Sequence, residues 1–303
     1  MFPTCSSCTL REGELSIGVA LFGQTVEHIV ALARHAETLG FEHAWLGDHV
    51  FVPTELSSRH PYPGRARDPV VGGALHIYDL WVAVGALISA TKRMTVSTGV
   101  AIAPLRHPLI TARAALTAHQ MSGGRFRLGI GIGWMPEEFL ALDVPFHERA
   151  KRTEEVLEIL RKIFAGGTTE HMGRFYSFTK TEMTHAPADI PIFIGGTAPQ
   201  AVRRAALCAD GWYSPYVRLD ECLAIKENIQ HIRTEAGLGA KPYTFHVRAT
   251  KMDRDTIARY REAGFEHLIL TWDAIDSADP ANVTLDAKLR ALDKVAASVD
   301  LVN

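Results

Sequence analysis

The chain has 303 residues, of which 47% are apolar and 22% charged, with a net charge of −2 when its fourteen histidines are neutral. A charge so near zero argues against a nucleic-acid or anionic-lipid partner. No apolar run reaches the roughly 18 residues of a membrane span, and the first residues lack the basic-then-apolar pattern of an export signal, which points to the cytoplasm.

Taken in order, the chain alternates strand and helix. Residues 15–22 (LSIGVALF) read as a first strand. Thr25 then caps a helix with Val26, Ile29, Val30 and Ala33 on one face, ended by Gly40. Residues 43–49 form the second strand, followed by a long polar, Pro-rich loop to about residue 76. A helix over 79–90 leads into a third strand over 94–102, and Pro108 opens a helix that runs to Met121. Residues 125–133 (RFRLGIGIG) are the fourth strand, and an amphipathic helix over 147–164 has Val156, Leu160 and Ile163 on its core face. Residues 165–189 are too long for a structureless connection and are expected to be functional or to hold a local hairpin. Further strands are expected over 190–195, 211–214, 243–250 and 267–272, with helices over 199–208, 219–235, 253–264 and 285–299.

Eight strands alternating with eight helices require a parallel sheet, because each crossover helix returns the chain to the same edge. Eight such units close a (β/α)8 TIM barrel, which typically needs about 250 residues plus insertions. The domain is expected to cover 15–303 as a single barrel behind a disordered tail over 1–14; an open doubly wound sheet is the structural alternative. Cys5 and Cys8 form a C-x-x-C in that tail, but no second Cys/His pair stands at zinc spacing, so no metal is expected.

In such a barrel the active site lies at the C-terminal ends of the strands. Two features stand out there. Asp48-His49 ends strand two, and a histidine beside a carboxylate suits acid–base work near neutral pH. The bland alternative is an Asp that caps the following loop beside a half-buried His. The second feature is glycine. Gly129 and Gly131 read as barrel packing. Gly133 and the Gly195-Gly196-Thr197 turn into a helix N-terminus are better candidates for contact with an anion, which the free N–H groups and helix dipole favour. The spacing is not G-x-G-x-x-G, so no Rossmann fingerprint is present.

Several segments resemble the luciferase-like monooxygenase superfamily, and within it the deazaflavin-dependent (coenzyme F420) oxidoreductases. They are Ala36 to Phe41 with Trp45-Leu46-Gly47-Asp48-His49; Ala90 to Arg93 with Thr98-Gly99-Val100 and Arg106-His107-Pro108; Ser122 to Phe126 with Gly129 to Trp134 and Glu138-Phe139; Pro191 to Gly196; and Ala209 to Trp212. They fall in the family's order over roughly residues 15 to 215.

The resemblance implies a barrel that passes a hydride between coenzyme F420 and a small-molecule substrate. Asp48 and His49 match the pair beside the deazaflavin ring, with His49 near the reacting substrate. Thr98, Gly99 and Val100 match a strand-three bulge behind the ring, with a non-proline cis peptide placed at Gly99-Val100. Ile132, Gly133 and Trp134 match a phosphate loop, and Gly195, Gly196 and Thr197 a second phosphate-contacting turn. The family also implies a homodimer. One departure matters: the sugar-phosphate dehydrogenases of this group carry Gly-Thr-Gly-Glu at the strand-four end, whereas here the run is Gly131-Ile132-Gly133-Trp134. That makes their reaction doubtful for this chain and suggests a more apolar pocket. Two rival readings are an FMN-dependent monooxygenase with a separate reductase and a non-catalytic cofactor-binding protein.

Overall fold

A computed structural model describes residues 15–54, 76–215, 217–249, 251, 253–272, 284–299 and 301. The expected tail over 1–14, the Cys5/Cys8 pair and most of the loop between strand two and its helix lie outside these residues.

The main sheet contains strands β1 (Ser16–Ala20), β2 (His43–Leu46), β3 (Thr95–Thr98), β4 (Ala101–Ile102), β5 (Phe126–Gly131), β8 (Ile192–Gly195), β9 (Gly211–Tyr213), β10 (Thr244–Arg248) and β11 (His267–Leu270). All pair in parallel, in the order β3-β2-β1-β11-β10-β9-β8-β5-β4, and an additional β3–β5 pairing closes the ring. Because β3 and β4 are two halves of one barrel strand, the described residues form an eight-stranded barrel, as the alternation predicts.

Helices α1 (Val26–Thr38), α2 (Leu80–Ala90), α3 (Pro108–Met121), α5 (Arg149–Phe164), α6 (Pro199–Cys208), α7 (Leu219–Glu235), α8 (Arg254–Glu262) and α9 (Leu285–Ser298) surround it, and α4 (Pro136–Ala141) is a short extra turn after β5. Their starts obey local chemistry. The Thr25 hydroxyl accepts from His28 N at 3.3 Å, and Asp79 Oδ1 accepts from the backbone N of Trp81 and Val82 at 3.0 Å each. The segment over 165–189 does hold a hairpin, the antiparallel pair β6 (Thr169–Met172) and β7 (Ser177–Thr181).

Strand alternation sorts the core into two parts. Ile17, Val19, Ala44, Leu46, Val96, Leu128 and Leu268 face outward and pack under the helices. Ala20, Trp45, Phe193, Tyr213 and Ile269, with Val100 against them, fill the barrel itself. Beneath them, on β2, β10 and β11, lie His43, His246 and His267. Their rings make a second interior layer, with His246 and His267 stacked at 4.2 Å. A Cβ at Gly18 would stand 1.8 Å from His43 Nδ1, so glycine is what admits that ring.

Candidate active site

The site is set by a fault in strand three. Ser97 pairs with Arg127, yet Ala101 pairs with Ile130. Four residues on one strand are matched by three on the other, so one residue is extra and the strand bulges. The Gly99–Val100 peptide is cis, at the position expected. Thr98 holds the entry to the bulge: its hydroxyl donates to Gly129 O at 2.7 Å and accepts from Gly129 N at 2.8 Å. That hydroxyl is therefore committed to the neighbouring strand, and Thr98 contributes by shaping the bulge.

The side chain of Val100 comes to rest on glycine. Cβ atoms built on Gly131 and Gly129 would fall 2.5 and 3.4 Å from its methyls, and one on Gly129 would stand 2.0 Å from Thr98 O. These two glycines serve packing, as their strand positions suggested. A Cβ at Gly99 would meet the Tyr213 hydroxyl at 2.9 Å and Trp45 at 3.0 Å, so the bulge sits directly on the aromatic floor. Arg248, at the end of β10, donates from Nε to that Tyr213 hydroxyl at 3.0 Å.

The exit from the bulge is held by Asp48. Its Oδ2 accepts from Ile102 N at 2.9 Å and from Arg106, and its Oδ1 accepts from Arg106 Nη2 at 2.8 Å. The Asp48 side chain is fully buried. This fork-to-fork pair gives Asp48 a part other than the expected acid–base one: its carboxylate is already engaged by three donors. It clamps strand two to the far side of the bulge. Arg106, in turn, is held above its usual range: burial works against its charge, but the Asp48 hydrogen bond and charge outweigh it.

His49 has a different partner. Its Nδ1 lies 3.0 Å from Oε2 of Glu138, on α4, and the other oxygen of that carboxylate accepts from Val50 N at 2.5 Å. Glu138 is fully buried and the His49 side chain is 9% exposed. Phe22 and Trp134 stand beside the imidazole at 5.8 and 5.9 Å, Trp134 edge-on. The expected pair thus separates into two: Asp48 with Arg106, and His49 with Glu138. Arg106 and Glu138 are the residues the sequence reading did not assign. Both stand inside stretches it quoted for their resemblance, but nothing local reveals which strand-two residue each will meet.

Ile132, Gly133 and Trp134 leave β5 as a loop into α4. A Cβ at Gly133 would meet Phe139 at 2.7 Å and Ile102 at 2.8 Å, so its bareness is needed for packing. The Gly195-Gly196-Thr197 turn suits an anion better. Gly196 has φ of 115°, in the region glycine tolerates, and a Cβ there would stand 2.9 Å from Ala201. The α6 N-cap, Ala198, provides no side-chain cap, and residues 198–200 are exposed. Pro199 has no N–H and those of Ala201 and Val202 go to Ala198 O, which leaves the N–H of Gln200 and the glycine turn before it to meet an anion.

Two other features lie at the opposite end of the barrel. His43, His246 and His267 each bring one ring nitrogen within 4.8 Å of the others. They are not set for one ion. Trp45 Nε1 donates to His43 Nδ1 at 2.8 Å, which puts the proton of neutral His43 on its other nitrogen. The rings of His246 and His267 are 13° from parallel, so their in-plane lone pairs do not converge. Burial, with the neighbouring rings, pushes His43 down to about 3 and His246 well below the usual histidine range; burial pushes His267 down to about 4. A groove lined by Glu154, Arg161, Asp210 and Arg233 also lies at that end, spanned by the Arg161–Asp210 ion pair.

A sequence profile described as luciferase-like monooxygenase matches residues 1–293. An uncharacterised protein of Mycobacterium tuberculosis is 32% identical over 274 residues, covering 89% of this chain and 93% of its own. The F420-dependent hydroxymycolic acid dehydrogenase of the same organism is 23% identical over 290 residues, covering 93% and 74%. Among solved structures, the coenzyme F420 dependent tetrahydromethanopterin reductase from Methanopyrus kandleri matches with a TM-score of 0.72 at 18% identity, covering 95% of this chain and 99% of that one. At that identity the likeness is one of fold.

Proposed function

The chain belongs to the luciferase-like monooxygenase family, and from that premise we propose that it is an oxidoreductase passing a hydride between coenzyme F420 and a small organic substrate. The observation that carries this reading is the placement of His49: a histidine held by a buried carboxylate at the end of β2, in a barrel whose third strand bulges at Gly99-Val100. The named F420-dependent relative supports the choice of cofactor.

The residues present fit that group. The bulge at Gly99-Val100, backed by Trp45 and Tyr213, would carry the ring face. The uncapped α6 start, with Gly195, Gly196 and Thr197, would hold the phosphate, and Gly133 and Trp134 would close the opposite side. When bound, the deazaflavin supplies or accepts the hydride. His49 would then move the accompanying proton at Nε2, giving it to a substrate being reduced or taking it from one being oxidised. Asp48 and Arg106 would keep the bulge in place. Trp134, at the position where the sugar-phosphate dehydrogenases carry a Glu, would make the substrate end apolar.

A second copy of the chain would cover the outer faces of α2 and α3. Along α2 the outward positions are Val82, Gly85, Ala86 and Ser89, and along α3 they are Ile110, Arg113, Ala114, Thr117, Gln120 and Met121. Val82 is 73% exposed, Ile110 48% and Met121 57%, and apolar surface on both sides of a helix calls for a partner. No helix among the described residues is long and apolar enough to cross a membrane. The exposed free thiol of Cys208 suits the reducing cytoplasm.

The test is to follow deazaflavin absorbance with panels of alcohols, aldehydes and ketones, for the parent protein and for His49→Ala. Turnover in the parent, lost in the variant while deazaflavin affinity stays within about threefold, is the expected result. Turnover equal in both would remove His49 from the chemistry.

A further inference from the structure

We propose that Glu138 is the positioning residue for His49: it fixes which ring nitrogen carries the proton and so which one faces the substrate. This rests on the reading of His49 as the proton-moving group, but its geometry stands apart from it. The Glu138 carboxylate is fully buried on α4 and uses both oxygens toward strand two's end. Oε2 takes His49 Nδ1 at 3.0 Å and Oε1 takes Val50 N at 2.5 Å. An ionised carboxylate only accepts hydrogen bonds, so Nδ1 must be the N–H of the ring. In the neutral imidazole, Nε2 is then the lone pair. Nε2 has no hydrogen-bond partner among the described residues, and it is absent from the orphaned nitrogens sealed inside the protein. The 9% of the side chain that reaches solvent therefore includes that atom.

The same carboxylate fixes the ring's place. Val50 N ties it to the backbone one residue beyond His49, and the Phe22 and Trp134 rings stand beside the imidazole. Among the described residues the charged partner of His49 is Glu138, and behind it lies the Arg106–Asp48 pair; Arg106 feels the carboxylates of Asp48, Asp79 and Glu138. The Glu138 carboxylate can accept from the Nδ1–H of His49 whether Nε2 is bare or protonated. No residue at Trp134 needs to act as an acid, which accounts for the missing carboxylate at the end of β5.

Glu138→Gln tests this. The glutamine carbonyl can still accept from Val50 N, but its amide then offers His49 a donor. Nδ1 must become the acceptor, and the proton moves to Nε2. The readout is the long-range 1H–15N spectrum of histidine-labelled protein at about pH 8.5, two units above the usual imidazole range, with His49 assigned from the His49→Gln spectrum. The parent should show His49 protonated at Nδ1 and bare at Nε2, and Glu138→Gln should show the reverse. With a substrate in hand, the variant should also lose the limb of the pH–rate profile that reports His49, while deazaflavin affinity stays within about threefold. A parent spectrum with Nδ1 bare and the proton on Nε2 overturns the proposal, as does an unchanged tautomer in a folded Glu138→Gln protein. The parent spectrum decides the first point even if the variant does not fold. Because it needs neither cofactor nor substrate, it stays interpretable if the deazaflavin reading itself fails.

Discussion

Acidification should strike this protein at its barrel floor before it reaches the carboxylates. His43 and His246 are buried and His267 largely so, with no acidic partner among the described residues. Burial holds His43 at about 3 and His267 at about 4, with His246 well below the ordinary value of 6.5. The folded protein therefore keeps all three neutral, whereas the unfolded chain protonates them as pH falls below about 6.5. Protons then bind the unfolded state preferentially. The stability is fully present above that value and is lost progressively down to the folded values near 3 to 4. For one such histidine the loss between about pH 7.5 and about pH 5.5 is about 1.4 kcal/mol, and for three about 4 kcal/mol. That is a large share of a typical 5–15 kcal/mol of total stability. The assay is urea unfolding across that window, comparing the parent with His246→Phe, which keeps a ring in the layer but binds no proton. The variant's pH dependence should be shallower by about 1.4 kcal/mol over the window. Equal slopes would show that the layer takes up protons while folded, and the reasoning would fall.

Two further outcomes follow from the same structure. Arg106→Met leaves the Asp48 carboxylate buried with only Ile102 N, which should cost about 3–5 kcal/mol in urea unfolding, with most of it recovered by adding Asp48→Asn; a cost under about 1 kcal/mol would mean that solvent already screens the pair. Val82→Glu places a charge on the outer α2 face and should turn the proposed dimer into a monomer in sedimentation without loss of fold, whereas a monomeric parent or an unchanged assembly would refute a contact through this face.

The barrel was legible because its signals are local and repeated. Apolar runs alternate with helical segments at each unit, and several of those helices, the ones behind Thr25, Asp79 and Asp253 among them, start on a side chain that accepts a backbone N–H of the first turn. Strand three was harder. Residues 94–102 read as one run, because period-two alternation carries no mark of an extra residue; only the resemblance pointed to Gly99-Val100. The site divided in the same way. His49, Gly195 and Gly196 could be placed by their positions at strand ends. Asp48 was paired with His49 because they are neighbours in sequence, yet successive residues of an extended chain point opposite ways. Asp48 thus turned to Arg106, 58 positions along, and His49 to Glu138, 89 positions along. Contacts at such separations depend on the closed barrel, and no window of sequence contains them.

The proposed function turns on which ring the barrel holds, so the most direct measurement is fluorescence titration of the purified protein with oxidised coenzyme F420 and, separately, with FMN. Saturable binding of F420 with at least about tenfold preference over FMN, a difference of about 1.4 kcal/mol, is the expected result. Preference for FMN would contradict it and point instead to oxygen chemistry with a partner reductase, and binding of neither would leave His49 and its buried carboxylate without a cofactor to serve.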